Sequence, residues 1–309
     1  MKPAAFQYHQ PTSVTEATDL LAEYEHDAEL MAGNQSLGIV MANRLATPEH
    51  IVDINGLDDL DYVDVSTERV EIGALTSHRT IETSTALADA LPMFPAAAEQ
   101  IAGPSVRNLG TIGGSIGEAD PAGNYPTVLT ALDGDLHVAS TDGERTVAAS
   151  EYFIAYMFTD LAEDELITGV SVDREPFPID RTGMAFLEQK PAAQTWPTIS
   201  AAAAVRVDDP DADAPAVDEA RLALANAADV PLRVEDAEAA VEGESFAETT
   251  LASAAEAASE AAEPGEEMHA DAAYKEKLAG EYTRRSLETA YERAVDTTDT
   301  TGITDTTTP

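Results

Sequence analysis

The chain of 309 residues contains no cysteine. This excludes disulfides, a thiol nucleophile, cysteine-ligated zinc or iron–sulfur centres, and any thioether-anchored cofactor. Basic residues are scarce as well: 17 Lys and Arg stand against 58 Asp and Glu, a formal net charge of −41. Lysine occurs only at Lys2, Lys190, Lys275 and Lys277. A surface of that sign repels a phosphate backbone, so nucleic-acid binding is excluded. The sequence has no apolar run long enough for a transmembrane helix. Residues 1–8 carry no apolar signal core, so no secretory signal and a cytoplasmic location are expected. The six histidines, at 9, 26, 50, 78, 137 and 269, lack metal-ligand spacing and read as surface or half-buried side chains, so no metal site is expected. With so many carboxylates no pair stands out as a catalytic dyad, and no catalytic residue is assigned.

The acidic residues are dispersed along the chain rather than gathered in a tail. Such a surface repels itself at low ionic strength and is screened in concentrated salt. It is the composition expected of a halophile's protein in a salt-rich cytoplasm. The length and the 44% apolar content allow two globular domains with separate cores.

Two glycine-bearing segments carry the chemistry. One is Met31, Ala32, Gly33, Asn34, Gln35, Ser36, Leu37, Gly38; the other is Arg107, Asn108, Leu109, Gly110, Thr111, Ile112, Gly113, Gly114, Ser115. Neither is a GxGxxG fingerprint or a lysine-bearing phosphate loop, which disfavours Rossmann and P-loop sites. In both, glycines that permit close backbone approach alternate with small polar side chains able to bind phosphate oxygens. Either alone also reads as a tight turn. Together they suggest one diphosphate held from two sides.

Hydrophobic spacing predicts a helix over residues 14–25 behind Thr12 and Ser13, and a short strand over 29–32. Further strands are predicted at 50–54, 61–65 and 69–73, helices at 76–82, 93–101 and 125–132, and a hairpin around Asp142 and Gly143. A strand over 166–172 precedes a proline-bearing crossing at 174–181. Strands at 183–188, 200–207 and 219–226, an alanine-rich helix over 233–263 and a long helix over 270–294 complete the pattern. Residues 296–309 are expected to be disordered.

The text around the glycine segments resembles the flavoprotein (medium) subunit of the molybdenum hydroxylases, the group of carbon monoxide dehydrogenase, xanthine dehydrogenase and aldehyde oxidoreductases. The first segment continues through Arg44, Pro48, Glu49, His50, Asp53, Ile54 and Asn55; the second follows Ile101, Ala102, Gly103, Pro104 and runs on to Asp120, Pro121, Asn124 and Pro126. A third match covers Asp271, Tyr274 and Lys275 through Arg284, Arg285 and Leu287.

The resemblance implies an α+β protein. Residues 1–175 would be a two-subdomain FAD-binding fold of the vanillyl-alcohol-oxidase-like type (subdomains about 1–56 and 57–175), and 180–294 a domain of a small antiparallel sheet with helices, followed by a tail over 295–309. It implies one FAD, with Met31, Ala32, Gly33, Asn34, Gln35, Ser36 and Leu37 on one side of the diphosphate. Gly110, Thr111, Ile112, Gly113, Gly114 and Ser115 would lie on the other. Asp120 and Asn124 would reach the adenosine or its ribose. Ile101 and Ile167 occupy positions where relatives place apolar residues against the cofactor, or are plain core. Lys190 would touch FAD in one register, although Glu188 falls at the matching position, and Phe186 takes an aromatic place without a hydroxyl. Glu118 stands where several relatives have histidine. Molybdopterin and 2Fe-2S clusters would reside in a large and a small partner subunit, feeding electrons to this FAD and on to an external acceptor. A stand-alone FAD-dependent oxidoreductase of the same fold is the alternative.

The charge makes a direct prediction. Thermal midpoints should rise steeply from low to multimolar KCl as the −41 formal charge is screened. A flat or falling curve would contradict the salt-adapted reading.

Overall fold

The computed structural model describes residues 2–244 and 246–296. From residue 297 the tail expected to be disordered lies outside the described residues. Strands β1 (Gln7–His9), β2 (Ala28–Met31) and β3 (His50–Asp53) form a parallel sheet in the order β1-β3-β2. Parallel neighbours need crossovers, supplied by α1 (Val14–Tyr24) and α2 (Leu37–Ala42). Ser13 starts α1: its hydroxyl accepts the Glu16 N–H at 3.1 Å, and the Glu16 carboxylate reaches back to the Thr12 N–H at 2.8 Å. Ala17 and Leu21 then meet Val52 and Ile54 in a small core.

The next unit is an antiparallel sheet containing β4 (Val63–Val65), β5 (Arg69–Gly73), β6 (Asp135–Ser140) and β7 (Gly143–Ala148). A hairpin of β8 (Phe153–Ala155) and β9 (Phe158–Thr159) stands apart, and β10 (Leu166–Asp173) returns to the middle, giving the order β4-β5-β10-β6-β7. Between β5 and β6 lie α3 (His78–Glu82), α4 (Thr85–Ala90), α5 (Met93–Gln100), α6 (Pro104–Arg107), α7 (Ile112–Glu118) and α8 (Asn124–Ala131); α9 (Ala149–Tyr152) follows β7. The second glycine segment, which alone reads as a tight turn, thus runs from the end of α6 into the first turn of α7. Thr111 causes the difference: its Oγ1 accepts the Gly114 N–H at 3.2 Å, a cap that offsets the poor helix propensity of glycine.

The last unit is the antiparallel sheet β11 (Thr182–Gln189), β12 (Ile199–Val207), β13 (Val217–Ala225) and β14 (Leu232–Arg233), in that order. It is followed by α10 (Glu235–Ala239), α11 (Glu248–Ala261) and α12 (Ala272–Val295). One alanine-rich helix over 233–263 was expected. The chain instead breaks between α10 and α11, where Gly243 takes a left-handed φ of 74°.

The expectation of separate cores also changes. Strand side chains alternate between faces, and here both faces are buried. Met184, Phe186, Ala202, Ala204 and Ala223 join one core with Phe94, Tyr125 and Leu129 of the preceding unit. Their neighbours Ala185, Ala201, Ala203, Val205, Leu222 and Leu224 pack on Leu251, Ala254, Leu287 and Ala290 of α11 and α12. Alanine is a weak strand former, but its small side chain lets helices press on both sides of one sheet. The core of the second unit therefore continues into the third.

Gly183 marks the closest of these approaches: a Cβ there would lie 1.9 Å from the Ala290 carbonyl oxygen and 2.5 Å from the Ala294 nitrogen. Gly183→Ala should cost about 1–3 kcal/mol or more, because backbone atoms of α12 must move. Chemical denaturation at constant salt measures it; a change within about 0.5 kcal/mol would contradict the packing.

Candidate functional site

Residue Met31 ends β2, so the first glycine segment leaves the parallel sheet at the carboxyl end of its strand, the usual ligand side of such sheets. It runs directly into the second segment. A Cβ on Gly33 would lie 2.2 Å from the Leu109 carbonyl oxygen and 2.7 Å from Gly110 Cα, so only glycine permits this contact. Asn34, exposed, adopts a left-handed φ of 56° and lays its amide against Gly38. Among the described residues, the backbone N–H groups of residues 33–38 find no hydrogen-bond acceptor. A run of unpaired N–H groups with one left-handed residue is a nest, suited to an anion. The side chains of this segment turn inward instead: Gln35 Nε2 donates to the Gly33 carbonyl at 2.6 Å, and Ser36 Oγ donates to Glu118 Oε2 at 2.9 Å.

The second segment is built differently. Gly110 O accepts the His78 N–H at 2.9 Å, and Thr111 bridges Ser77. The N–H groups of Ile112 and Gly113 donate to Thr76 O at 3.1 Å and Ala74 O at 2.9 Å. These donors are used within the fold, so this side offers bare surface. Gly114 and Gly117 lie exposed on α7: a Cβ at Gly114 would meet only Thr111 Oγ1 at 3.0 Å, and one at Gly117 only Ile167 Cδ1 at 3.8 Å. Gly113 is needed for packing, its Cβ position lying 2.6 Å from Ala74 Cβ. No glycine in either segment has positive φ. A donor-rich nest beside a helix face without side chains fits the diphosphate of a dinucleotide.

The remaining expected residues surround this cradle. Ile167 is buried in the core beside Gly117, while Ile101 is half-buried and gives its carbonyl to Arg107 Nη1 at 2.9 Å. Asp120 Oδ1 accepts the Ala122 N–H at 2.8 Å; burial pushes its carboxyl up, and nearby Glu267 adds to this. Burial likewise pushes Glu118 up, with the Ser36 hydroxyl opposing and Asp120 reinforcing. Asn124 Nδ2 donates to Ala97 O at 2.9 Å and to Glu188 Oε1 at 2.7 Å. Lys190 pairs with Glu188 Oε2 at 2.5 Å and donates to the Gln100 carbonyl. Asn124 and Lys190 thus meet on one buried carboxylate rather than standing free, and Phe186 is core.

Sequence reasoning missed what holds the second segment. His78 is buried, and its Nε2 would lie 2.6 Å from a Cβ on Gly110. Burial, and then the Arg107 charge, pull its pKa down to about 4, so the ring is neutral at neutral pH. Arg107 Nε bonds Glu82 Oε2 at 3.0 Å, and Arg107 Nη1 binds the carbonyls of Ile101 and Ala102. No spacing in the sequence marks His78, because its partner is a backbone distant in the chain. Among the described residues, the histidine with metal-type neighbours is His26, beside Glu25 and Glu163, all exposed.

Fold and cradle together define a protein for a dinucleotide cofactor. Residues 4–174 match the family described as "FAD binding domain in molybdopterin dehydrogenase", and residues 185–290 match "CO dehydrogenase flavoprotein C-terminal domain". The carbon monoxide dehydrogenase medium chain of Hydrogenophaga pseudoflava is 35% identical over 293 residues, 95% of this chain and 99% of that one. The nicotine 6-hydroxylase medium subunit of Paenarthrobacter nicotinovorans is 34% identical over 95% of this chain and all of its own. A solved structure of the Hydrogenophaga enzyme superposes with a TM-score of 0.90 at 36% identity, covering 95% of this chain and 99% of that one. The chain belongs to the FAD-binding medium-subunit family of the molybdenum hydroxylases, and is an oxidoreductase subunit of the carbon monoxide and xanthine dehydrogenase type.

Gly33→Ala should separate the two segments and lower bound FAD several-fold while leaving the far-ultraviolet circular dichroism unchanged, since the clash is backbone against one methyl. Full flavin occupancy in that variant would show that the contact between the segments is dispensable.

Proposed function

We propose that this chain is the electron-transfer subunit of a three-component molybdenum hydroxylase. A small partner subunit would deliver electrons from iron–sulfur clusters, a large one would hold molybdopterin and choose the reducing substrate, and an external acceptor would receive the electrons. Residues 1–175 would bind FAD between subdomains of about 1–56 and 57–175, with residues 180–294 packed against them.

The observation that carries this reading is the nest at residues 33–38 beside the bare face of α7. The N–H groups of Gly33 to Gly38 would bind the diphosphate, and Gly114, Ser115 and Gly117 would let it lie close to the helix. Asp120 and Asn124 follow at the end of α7, where an adenosine ribose would come within reach. Ile167 would bound the site with an apolar wall, and Lys190, paired with Glu188, would shape its rim instead of neutralising phosphate. FAD supplies an acceptor that takes electrons singly and releases them in pairs. The chain itself, without cysteine, supports the reading that the metal steps belong to other subunits. Among the described residues no helix is long and apolar enough to cross a membrane, and a cytoplasmic, salt-adapted complex fits the composition.

Purification of the tagged chain from its native host in high salt should recover one non-covalent FAD together with a large and a small subunit. Acid or heat should release all of the flavin. Gly114→Val, which fills the bare face of α7, should abolish FAD binding with the circular dichroism retained. Recovery of a lone flavoprotein that oxidises an aldehyde or alcohol unaided would favour the stand-alone oxidoreductase, and full flavin in Gly114→Val would remove α7 from the site.

A further inference from the structure

Lys275, on α12, is 1% exposed, in a chain with only four lysines. Burying an ammonium is costly unless its protons are satisfied, and here all three are. Nζ donates to Asn226 Oδ1 at 2.9 Å, Glu267 Oε1 at 3.1 Å and Gly265 O at 3.2 Å. Such a saturated lysine is not poised as a base or nucleophile.

Its partners lead across the domain boundary. Asn226 holds a left-handed φ of 59°, and its amide also donates to the carbonyls of Pro197 at 3.0 Å and Thr198 at 3.3 Å and to Glu267. The backbone N–H of Asn226 donates to Pro121 O at 2.7 Å. Pro121 belongs to the turn that closes α7, in which the Gly123 N–H returns to Asp120 O at 2.8 Å. Three residues further on, Glu188 holds Asn124. The C-terminal domain therefore grips both ends of the turn carrying Asp120 and Asn124. It also places Glu267 where its charge reaches Asp120, with Lys275 as the compensating cation.

We propose that Lys275 is a positioning residue for FAD, acting through Asn226 and Glu267 on the turn at the end of α7, so that the C-terminal domain sets how tightly the first domain holds its cofactor. This rests on the placement of FAD against α7 given above. Two effects act in the same direction. Lys275 fixes the side chain of Asn226, whose backbone anchors Pro121. It also pairs with the exposed Glu267 carboxylate, whose negative charge reaches the turn at Asp120.

The test uses the full-length chain, stripped of flavin and titrated with FAD in high salt, with thermal unfolding of the flavin-free form measured in parallel. Lys275→Met, close in volume but uncharged, should weaken FAD binding by at least about fivefold, the lower end of ordinary coupling between sites. Adding Glu267→Gln to it should recover part of the loss, because the unpaired carboxylate is removed while the clamp on Asn226 stays lost. Asn226→Gly keeps the left-handed backbone and its bond to Pro121 but removes the amide, and should weaken FAD binding in the same direction. It serves as the deciding variant if Lys275→Met does not fold.

Wild-type FAD affinity in Lys275→Met or in Asn226→Gly, whatever the fall in melting temperature, would overturn the proposal and leave a structural clasp. A double variant no better than Lys275→Met alone would also overturn it. Gly114→Val run alongside separates the two claims. If that variant keeps its flavin, the placement of FAD fails; if it loses flavin while Lys275→Met does not, only the positioning role fails.

Discussion

Contact between two stretches of backbone organises this molecule. Gly33, leaving the parallel sheet, touches Leu109 and Gly110, which arrive from the helical layer over the antiparallel sheet. No side chain fits between them. Because that contact has only van der Waals strength of its own, the surrounding structure must supply the precision. Most of the polar interactions near the site serve that purpose: the His78 ring against Gly110, Ser36 on Glu118, and Arg107 spanning Glu82, Ile101 and Ala102.

The electrostatics of the cradle depart from the usual pattern of anion sites. Two cations near it are committed elsewhere: Lys190 is taken up by Glu188 and Gln100, and Arg107 by Glu82. A carboxyl, Glu118, holds Ser36 of the nest, and it and Asp120 are both pushed up by burial. The unpaired N–H groups of residues 33–38 are backbone dipoles of the sign an anion favours. Dipoles fixed by the fold do not depend on ionic strength for their position. Isolated surface charges, by contrast, are screened by salt, and a net charge of −41 makes their balance in this chain sensitive to it.

The third layer is more than a neighbour of this site. Its alanine-rich central strand lets the sheet be covered on both sides, so the core of the cofactor-binding unit continues through Met184, Phe186, Ala202 and Ala204. Glu188, Lys190 and Asn226 project from the edge of that sheet onto the segments flanking α7. This domain is tied to the second unit through the turn at Pro121 and the end of α5.

Much of this was legible in the sequence. Period-two and helical spacings placed most strands and the longer helices, because side-chain alternation is a local property of the chain. The two glycine segments stood out because glycines interleaved with small polar residues allow close backbone approach, although either alone also reads as a tight turn. The charge and the missing cysteine bounded the chemistry. What the sequence could not contain was the division of labour between the segments. Whether an N–H is free for a ligand depends on which carbonyl lies opposite, and Ala74 and Thr76 claim those of Gly113 and Ile112 only after the sheet forms. Thr111 starts a helix where the sequence suggested a tight turn, through a cap made by its hydroxyl. His78 read as an ordinary surface or half-buried histidine, and nothing marked Lys275 or Glu188 as buried, because burial is a collective outcome of packing. Composition and local pattern determined what kind of protein this is; the long-range pairing of backbone groups decided which of its atoms are left to bind.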